Sequence, residues 1–333
     1  MVMRMEQMLN SLGQAVVAGR ELAETKTKLD SECKAFLAEK QVLAWILRDC
    51  APEFEGMDIP EIVDCIEGTP VYGKIPVDKD MTAKYVPEKI TGMPNEDTSV
   101  SEGKVDYDVR FKARSMQDGV PTDLIINVEA QNAFKPGYSL VTRGIYYCGR
   151  MISAQKNTEF SHSKYQDLKK VHSIWICINP DKGWEGSVTT YTLDEHNLVG
   201  NVKSQKKDYD KIQVTLLCLD GKPTDKVDAV GMLDTAFSNS LTAEQKLERL
   251  ESMYNMQVTE SLERRLNEMC NYSDGVYDAG IEKGVKQGRD EAIVGTVAIL
   301  KRMGTATAEI IKQLVLQFGI SKDEAAGYVA DAK

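Results

Sequence analysis

Apolar and polar residues alternate along the chain with two different periods, and these periods predict its secondary structure. Apolar residues at helical spacing predict helix over residues 5–48. Apolar runs of strand length then predict five β-strands, over residues 105–112, 124–131, 172–179, 188–193 and 211–219. A further helix is predicted over 138–155. The order of these elements predicts an α/β fold with a mixed sheet flanked by helices.

The first two predicted strands are expected to form a hairpin. Residues 116–121 lie between them and carry an Asp-Gly pair and a proline, which favour a tight turn. The strand over 172–179 is apolar on both faces, which is typical of a central strand covered by helices. The acidic, proline-rich segment 49–102 is predicted to be irregular, with one short helix near 60–66.

The distribution of proline separates a helical C-terminal region from the rest of the chain. All ten prolines lie between Pro52 and Pro223, and the interior of a helix excludes proline. Thr242 and Gln245 have the spacing of a capping box, which predicts the start of a helix. Further helices are predicted over residues 260–271, 293–303, 306–318 and 322–332.

The polar segment between the helices predicted over 260–271 and 293–303 contains three glycines at intervals of four residues, Gly280, Gly284 and Gly288. This spacing indicates close helix packing or a flexible joint. Taken together, the patterns predict an N-terminal helix, an α/β core and an all-helical C-terminal extension, over residues 1–32, 33–220 and 221–333.

The charge of the chain limits how it would bind nucleic acid. Lys and Arg number 41 and Asp and Glu 51, so the formal net charge is −10. An acidic chain does not coat nucleic acid by charge alone, although it can still carry a local basic face. The length of 333 residues predicts about two domains, and the 42% of hydrophobic residues excludes wholesale disorder.

The cysteines and the N-terminus predict a cytoplasmic protein. No apolar run approaches the ~20 residues of a membrane helix, and the N-terminus lacks the apolar core of a signal peptide. The seven cysteines show no Cys-x-x-Cys spacing and the three histidines lie far apart, so no zinc motif is present. We therefore expect buried free thiols in a reducing compartment and no membrane association.

Carboxylates on two neighbouring strands form the candidate chemical site. Asp106 and Asp108 share one face of the first strand, and Asn127, Glu129 and Gln131 share one face of the second. A carboxylate in an apolar strand is costly to bury unless a cation meets it, and two of them form a hard oxygen site suited to Mg²⁺. Such a metal lowers the pKa of a bound water and polarises a phosphate. In the alternative, Glu129 ends an edge strand in solvent and pairs with a lysine.

A third acid comes from the first predicted helix. Glu39 lies on the same helical stripe as Phe36, Leu43 and Ile46. An acid on an otherwise apolar face needs a partner, and Glu39 is predicted to reach the same metal site. The alternative is a solvated position at the rim of this face.

The helix predicted over 138–155 follows the candidate acids and carries positive charge. Arg143, Tyr147 and Arg150 form a stripe on it, opposite the apolar one, and residues 131–182 have an excess of Lys and Arg. Arginines in this arrangement fit the phosphate backbone of DNA. These three residues are the candidate DNA-binding residues, and a solvated helix face is the alternative.

Three segments in combination resemble a known family. Residues 107–111 (Tyr-Asp-Val-Arg-Phe), 125–131 (Ile-Ile-Asn-Val-Glu-Ala-Gln) and 143–148 (Arg-Gly-Ile-Tyr-Tyr-Cys) are similar to the PD-(D/E)XK nuclease family of transposase-like proteins, which is related to the recombination-promoting nucleases of bacteria. The resemblance covers roughly residues 33–219. It implies a restriction-endonuclease-like fold and cleavage of DNA phosphodiester bonds that depends on Mg²⁺, with Mn²⁺ as a substitute.

The resemblance also implies roles for individual residues. Asp108 matches the metal-binding aspartate of the family, and Glu129 matches the acidic position of its (D/E)xK motif. Gln131 falls where lysine stands in many relatives, and a glutamine can only orient water through hydrogen bonds. Glu39 matches the acid that the first helix supplies in some members. The predicted catalytic residues are therefore Asp108, Glu129, Gln131 and Glu39, with the metal held by Asp108 and Glu129.

Three functions are compatible with these observations. The first is an Mg²⁺-dependent DNA endonuclease associated with transposition or recombination, which acts as a homodimer because double-strand cleavage needs two active sites. The second is a catalytically weak or inactive scaffold of the same fold that binds DNA or a protein partner. The third treats the helical C-terminal region as an oligomerisation module, with the α/β region as its support.

Overall fold

The computed structural model of the protein describes residues 22–73, 96–99, 103–117 and 120–331. The predicted helical residues 5–21, residues 74–95 of the acidic segment and the predicted Asp-Gly turn at 118–119 lie outside these ranges. The described residues form two compact units, which divide between Ser273 and Asp274.

The first unit is built on β-strands whose pairing confirms the predicted mixed sheet. The described strands are β1 (Val71–Tyr72), β2 (Glu96–Ser99), β3 (Gly103–Asp106), β4 (Val109–Gln117), β5 (Val120–Ala133), β6 (Lys170–Asn179), β7 (Val188–Thr192) and β8 (Ile212–Cys218). Six of them form one sheet in the order β1-β4-β5-β6-β8-β7, and β2 pairs with β3 alone. Strands β4 and β5 form the predicted antiparallel hairpin, whereas β5, β6 and β8 run parallel.

Helices occupy both faces of this sheet. The described helices are α1 (residues 22–37), α2 (Lys40–Cys50), α3 (Ile59–Cys65), α4 (Leu140–Ser153), α5 (Lys206–Tyr209), α6 (Ala229–Phe237), α7 (Ala243–Tyr254), α8 (Glu260–Arg302), α9 (Thr307–Phe318) and α10 (Lys322–Asp331). Apolar residues of α2, α3, α6 and α7 form one buried cluster with one face of the sheet. Residues of α4 form a second cluster with the opposite face.

Strand β6 shows why the sheet is buried on both sides. Ile174 and Ile176 belong to the cluster with α2, and Trp175 and Cys177 belong to the cluster with α4. All four side chains are fully buried. Strand β6 is therefore apolar along its whole length because each of its faces packs against a layer of helices, as its sequence predicts.

The first predicted helix is interrupted, and this corrects the predicted helical stripe. Helix α1 ends at residue 37 and α2 begins at Lys40. Glu39 lies in the break with an extended backbone, at φ −66° and ψ 127°. The break removes the shared helical phase of Phe36 and Leu43, so Glu39 does not lie on one continuous stripe with them.

The C-terminal region is helical as predicted, with one correction in its middle. Helix α7 begins with the predicted capping box of Thr242 and Gln245. Helix α8 runs through 43 residues without a break, where two helices separated by a polar segment were expected. A glycine costs a helix about 1 kcal/mol and leaves its hydrogen bonds intact, so Gly280, Gly284 and Gly288 are accommodated. A Cβ atom added at any of these glycines would meet no heavy atom within 4 Å, so none of them packs closely against the part of the chain that the structure describes.

The two compact units divide the described residues at a different place from the predicted domain limits, which stay a prediction. Helices α6 and α7, which lie within the predicted C-terminal region, belong to the unit that ends at Ser273. The second unit has its own apolar core, formed by the end of α8 with α9 and α10. No helix among the described residues is both long enough and apolar enough to cross a membrane. The seven cysteines are free thiols, and Cys50, Cys148, Cys177 and Cys218 are buried.

Helix α4 lies close to the sheet at Gly144. A Cβ atom at this position would lie 2.6 Å from Val214 Cγ1 and 3.0 Å from Trp175 Nε1. We expect Gly144→Ala to lower the free energy of unfolding by about 1–3 kcal/mol, because a buried side chain or the helix must shift. The matched control is Gly149→Ala on the same helix, where a Cβ atom meets nothing within 4 Å and the substitution should stabilise by about 0.5–1 kcal/mol. Urea denaturation of both variants checks this pair, and equal stabilities would contradict it.

Candidate active site

Asp108 lies at an interruption of the first predicted strand. The structure divides the predicted segment 105–112 into β3, which ends at Asp106, and β4, which begins at Val109. Because β3 pairs with β2 and β4 pairs with β5, the chain changes sheets at residues 107–108. Asp108 is therefore placed at the entrance of β4, beside the middle of its partner strand β5 rather than within a regular ladder.

Asp108 and Glu129 are brought together and hold each other through the backbone. The backbone N–H of Asp108 donates a hydrogen bond to Glu129 Oε1 at 3.2 Å. In return, the backbone N–H of Ala130 donates to Asp108 Oδ2 at 3.0 Å. Each carboxylate is thus fixed by the chain beside the other acid, and the role of the two acids as metal ligands stays a prediction.

Burial and mutual repulsion control the charge of this pair. Glu129 is 4% exposed, and burial raises the pKa of its carboxyl well above the ordinary value, with the charge of Asp108 raising it further. Burial also raises the pKa of Asp108, although the neighbouring Lys34 opposes this effect. A positive charge at the pair would favour both ionised carboxylates. Because β5 is an interior strand, the alternative of a solvated Glu129 on an edge strand is excluded.

Asn127 also belongs to the site. The sequence placed it on the same face as Glu129 but assigned it no role. Its Nδ2 donates to Glu129 Oε1 at 3.1 Å. Its Oδ1 is buried and has no hydrogen-bond partner among the described residues, which is unusual for a buried polar atom. An unpaired amide oxygen beside two carboxylates is a further hard donor.

The donors at this position fit a divalent metal ion in their chemistry. Mg²⁺ and Mn²⁺ prefer carboxylate and carbonyl oxygens, and Asp108, Glu129 and the unpaired Oδ1 of Asn127 offer only such atoms. The described residues contain no group of three or more His, Cys, Asp or Glu side chains suited to a metal. Any metal held here would therefore depend on two acids, on the Oδ1 atom of Asn127 and on oxygens of water or substrate.

Lys34 is the second residue that the sequence reasoning missed. It lies on α1 and is 8% exposed. Its ammonium contacts Asp108 Oδ1 at 3.0 Å and Asp30 Oδ2 at 2.6 Å. The sequence shows only the contact between Asp30 and Lys34, which are four residues apart on a helix, whereas the contact with Asp108 depends on how α1 packs on the sheet.

Glu39 is not brought to the acid pair. Its Oε1 accepts hydrogen bonds from Arg265 Nε at 2.9 Å and from Ser261 Oγ at 3.0 Å, both on α8. Among the described residues, these bonds link the break between α1 and α2 to α8 and do not reach Asp108. The acid that the first helix was expected to supply is therefore engaged elsewhere, and a lysine of that helix contacts the site instead.

Gln131 follows Glu129 on the same face of β5, as predicted. Its Nε2 donates to the backbone carbonyl of Ala133 at 3.0 Å. This bond directs the amide nitrogen along its own strand, so the hydrogen bond observed for Gln131 is with the backbone and not with the acids.

Helix α4 brings Arg143 and Tyr147 to the acid pair. The Arg143 guanidinium donates to the hydroxyls of Tyr138 at 2.8 Å and Tyr147 at 2.7 Å, and it lies 5.0 Å from the centre of the Trp175 ring. Its charge lowers the pKa of Glu129, which reflects its proximity to that carboxyl. Arg150 is different, because it is 4% exposed and so belongs to the interior of the helix face.

Comparison with known proteins adds no assignment to this geometry. No protein-family model matches the chain, and no match is found among curated proteins or solved structures.

Proposed function

We propose that the protein is a DNA endonuclease that depends on a divalent metal ion and resembles the PD-(D/E)XK nucleases. The observation that carries the proposal is a pair of backbone hydrogen bonds, from the Asp108 N–H to Glu129 Oε1 and from the Ala130 N–H to Asp108 Oδ2, which fixes the buried Glu129 carboxylate beside the half-buried Asp108 carboxylate. A pair of acids that repel each other in a buried position is costly. Such an arrangement is typical of a site that is completed by a cation.

The proposed roles follow from the atoms that each residue offers. Asp108, Glu129 and the Oδ1 atom of Asn127 would hold Mg²⁺ or Mn²⁺. When bound, the metal would activate a water molecule and neutralise charge on the phosphate. Arg143 would bind a phosphate of the DNA backbone, because its charge is close to the pair and its side chain is held by two tyrosines. Arg150, which is 4% exposed, is assigned no role in this proposal.

The wider assignments belong to the same proposal. A six-stranded mixed sheet with helices on both faces is compatible with a restriction-endonuclease-like fold. Cleavage of both DNA strands needs two such sites, so we expect a homodimer in solution. Free cysteines throughout the chain fit a reducing compartment such as the cytoplasm.

A nicking assay on supercoiled plasmid tests the proposal. The protein should convert supercoiled DNA to nicked or linear DNA in the presence of Mg²⁺ or Mn²⁺, and EDTA should stop the reaction because the acids alone cannot neutralise the phosphate. Asp108→Ala, purified in parallel, should remove the activity and so exclude a contaminating nuclease. Metal-dependent nicking that is equal in the two proteins would refute the assignment.

A scaffold without catalytic activity is the second candidate. Two observations favour it: the Lys34 ammonium already contacts Asp108 Oδ1, and the amide nitrogen of Gln131 is bonded to its own strand. In this case the protein would bind labelled duplex DNA, as measured by fluorescence anisotropy, with the same affinity in EDTA and in Mg²⁺. It would also leave the plasmid intact under every metal condition.

A further inference from the structure

A site that hydrolyses a phosphodiester needs positive charge beside the phosphate in addition to its metal-binding acids. Strand β5, with the sequence Val-Pro-Thr-Asp-Leu-Ile-Ile-Asn-Val-Glu-Ala-Gln-Asn-Ala, contains no lysine or arginine. Gln131 is neutral, and its amide nitrogen is bonded to Ala133. The strand that carries Glu129 therefore supplies no cation to the site.

We propose that Lys34 is a catalytic residue of this site, and that its ammonium reaches the scissile phosphate from helix α1. The inference rests on the proposed nuclease function and adds a residue to it. It is carried by one contact, the 3.0 Å distance between Lys34 Nζ and Asp108 Oδ1. Because Asp108 also accepts the Ala130 N–H, the ammonium is fixed relative to the same backbone that holds Glu129.

The burial of Lys34 shows that its position is specified by the fold. Lysine is seldom buried unless it is paired, and Lys34 is 8% exposed. Asp30, four residues earlier on α1, contacts the ammonium at 2.6 Å and holds the side chain from the helix. Asp108 contacts the same ammonium from the sheet. Lys34 is thus held between its own helix and the acid pair.

The ammonium has the donors that the role requires. A lysine side chain has three N–H donors, and Asp30 and Asp108 accept one each. Among the contacts of the described residues the third donor has no acceptor, and we assign it to a phosphate oxygen.

The chemical step balances without consuming Lys34. The oxygen of a water molecule forms a bond to phosphorus, and the bond from phosphorus to the leaving sugar oxygen breaks. The water gives up one proton to the solvent, and the leaving oxygen gains one from it. Negative charge increases on the phosphate oxygens between these events, and the Lys34 N–H⁺ group stabilises that charge by a hydrogen bond.

The competing explanation is that Lys34 only attaches α1 to the sheet. Lys170 provides a matched control, because it is also buried and also contacts two acids, Glu53 at 2.6 Å and Asp210 at 3.0 Å. Lys170 is the first residue of β6 and pairs with Leu124 of β5. Leu124 lies five positions before Glu129 on the same strand. Replacing either lysine leaves two acids without their cation, so both variants carry a similar structural cost.

The experiment compares Lys34→Met, Lys34→Arg and Lys170→Met with the unchanged protein at saturating Mg²⁺. We expect Lys34→Met to lower kcat for plasmid nicking by about 10²–10³-fold with KM for DNA nearly unchanged. Lys34→Arg keeps the charge and should recover most of this loss, and Lys170→Met should nick at the rate of the unchanged protein. Thermal melts identify a variant that does not fold, in which case Lys34→Gln replaces Lys34→Met.

Calorimetric titration with Mn²⁺ gives a second readout that does not depend on activity. Lys34→Met should bind Mn²⁺ at least as tightly as the unchanged protein, because the ammonium no longer competes for Asp108 Oδ1. Full activity in Lys34→Met, or an equal loss in Lys170→Met, would overturn the inference while the nuclease function stands. If the unchanged protein does not nick DNA under any metal condition, the proposed function itself fails, and the role of Lys34 fails with it.

Discussion

Glu129→Gln is expected to abolish metal-dependent nicking of plasmid DNA, with a fall in kcat of about 10³-fold. The amide keeps the size of the side chain and can still accept the N–H of Asp108, so the geometry of the site should survive. It removes the negative charge that a divalent metal requires. A rate measurement at saturating Mg²⁺ checks this, and a loss smaller than about tenfold would contradict the account.

The same substitution is expected to raise the free energy of unfolding at neutral pH. Glu129 is 4% exposed, and its pKa is raised by burial and by the charge of Asp108. A neutral amide avoids both costs, so stability should increase as activity disappears. This opposite change is the signature of a group that is retained for function at the expense of the fold.

Glu159→Gln is the matched control for this effect. Glu159 contacts the ammonium groups of Lys112 at 2.6 Å and Lys169 at 2.8 Å. Burial acts to raise the pKa of Glu159, but the hydrogen bonds and charges of the two lysines outweigh burial and lower this pKa. Its substitution should therefore lower stability and leave nicking unchanged. If both glutamine variants lose stability alike, the acid pair does not carry the electrostatic cost that we infer.

His172 is expected to make the protein sensitive to acid. Its side chain is fully buried, with Nε2 at 2.8 Å from Thr215 Oγ1, and burial lowers its pKa to about 3. The unfolded chain binds a proton near pH 6.5, whereas the folded chain does not until the pH is much lower. The contribution of the neutral imidazole to the free energy of unfolding is therefore fully present above pH 6.5 and decreases as the pH falls. At pH 4.5 it is lower by about 3 kcal/mol.

The measurement is the difference in unfolding free energy between the unchanged protein and His172→Gln, at pH 7 and at pH 4.5. A difference between variants is needed because Asp108, Glu129 and Asp234 have raised pKa values and gain stability as the pH falls. The difference should change by about 3 kcal/mol between the two pH values. His196→Gln, at a side chain that is 80% exposed, should show no such change, and the same pH dependence in both variants would contradict the assignment to His172.

The sequence was sufficient to predict strands β4 to β8 of the six-stranded sheet and the approach of Asp108 to Glu129, whereas β1 lies in the segment that was predicted to be irregular. Alternation places Glu129 on a known face of β5, and the hairpin brings β4 alongside it, so Asp108 follows from local rules. The alternation of side chains along a strand and the residues of a tight turn act over only a few positions of sequence, so they were sufficient to place Asp108 beside Glu129. The joint between β3 and β4 was missed because the change of sheets depends on pairing with β2.

Contacts between segments that are far apart in the sequence could not be predicted from local patterns. Lys34 and Asp108 are separated by 74 positions of sequence (108 − 34) and meet only because α1 packs beside the sheet. Glu39 was assigned to the site from its helical phase, but the break after residue 37 changes that phase and turns it to Arg265. In both cases tertiary packing decided which side chain of the first helical segment contacts the acids.

Direct titration of Mn²⁺ into the protein tests the central claim, that Asp108 and Glu129 together hold one divalent cation. The account predicts one Mn²⁺ bound per chain at the acid pair, with release of protons because burial raises the pKa of both carboxyls. It also predicts loss of this binding in the double variant Asp108→Asn, Glu129→Gln. Absence of binding in the unchanged protein, or equal binding in the double variant, would contradict it.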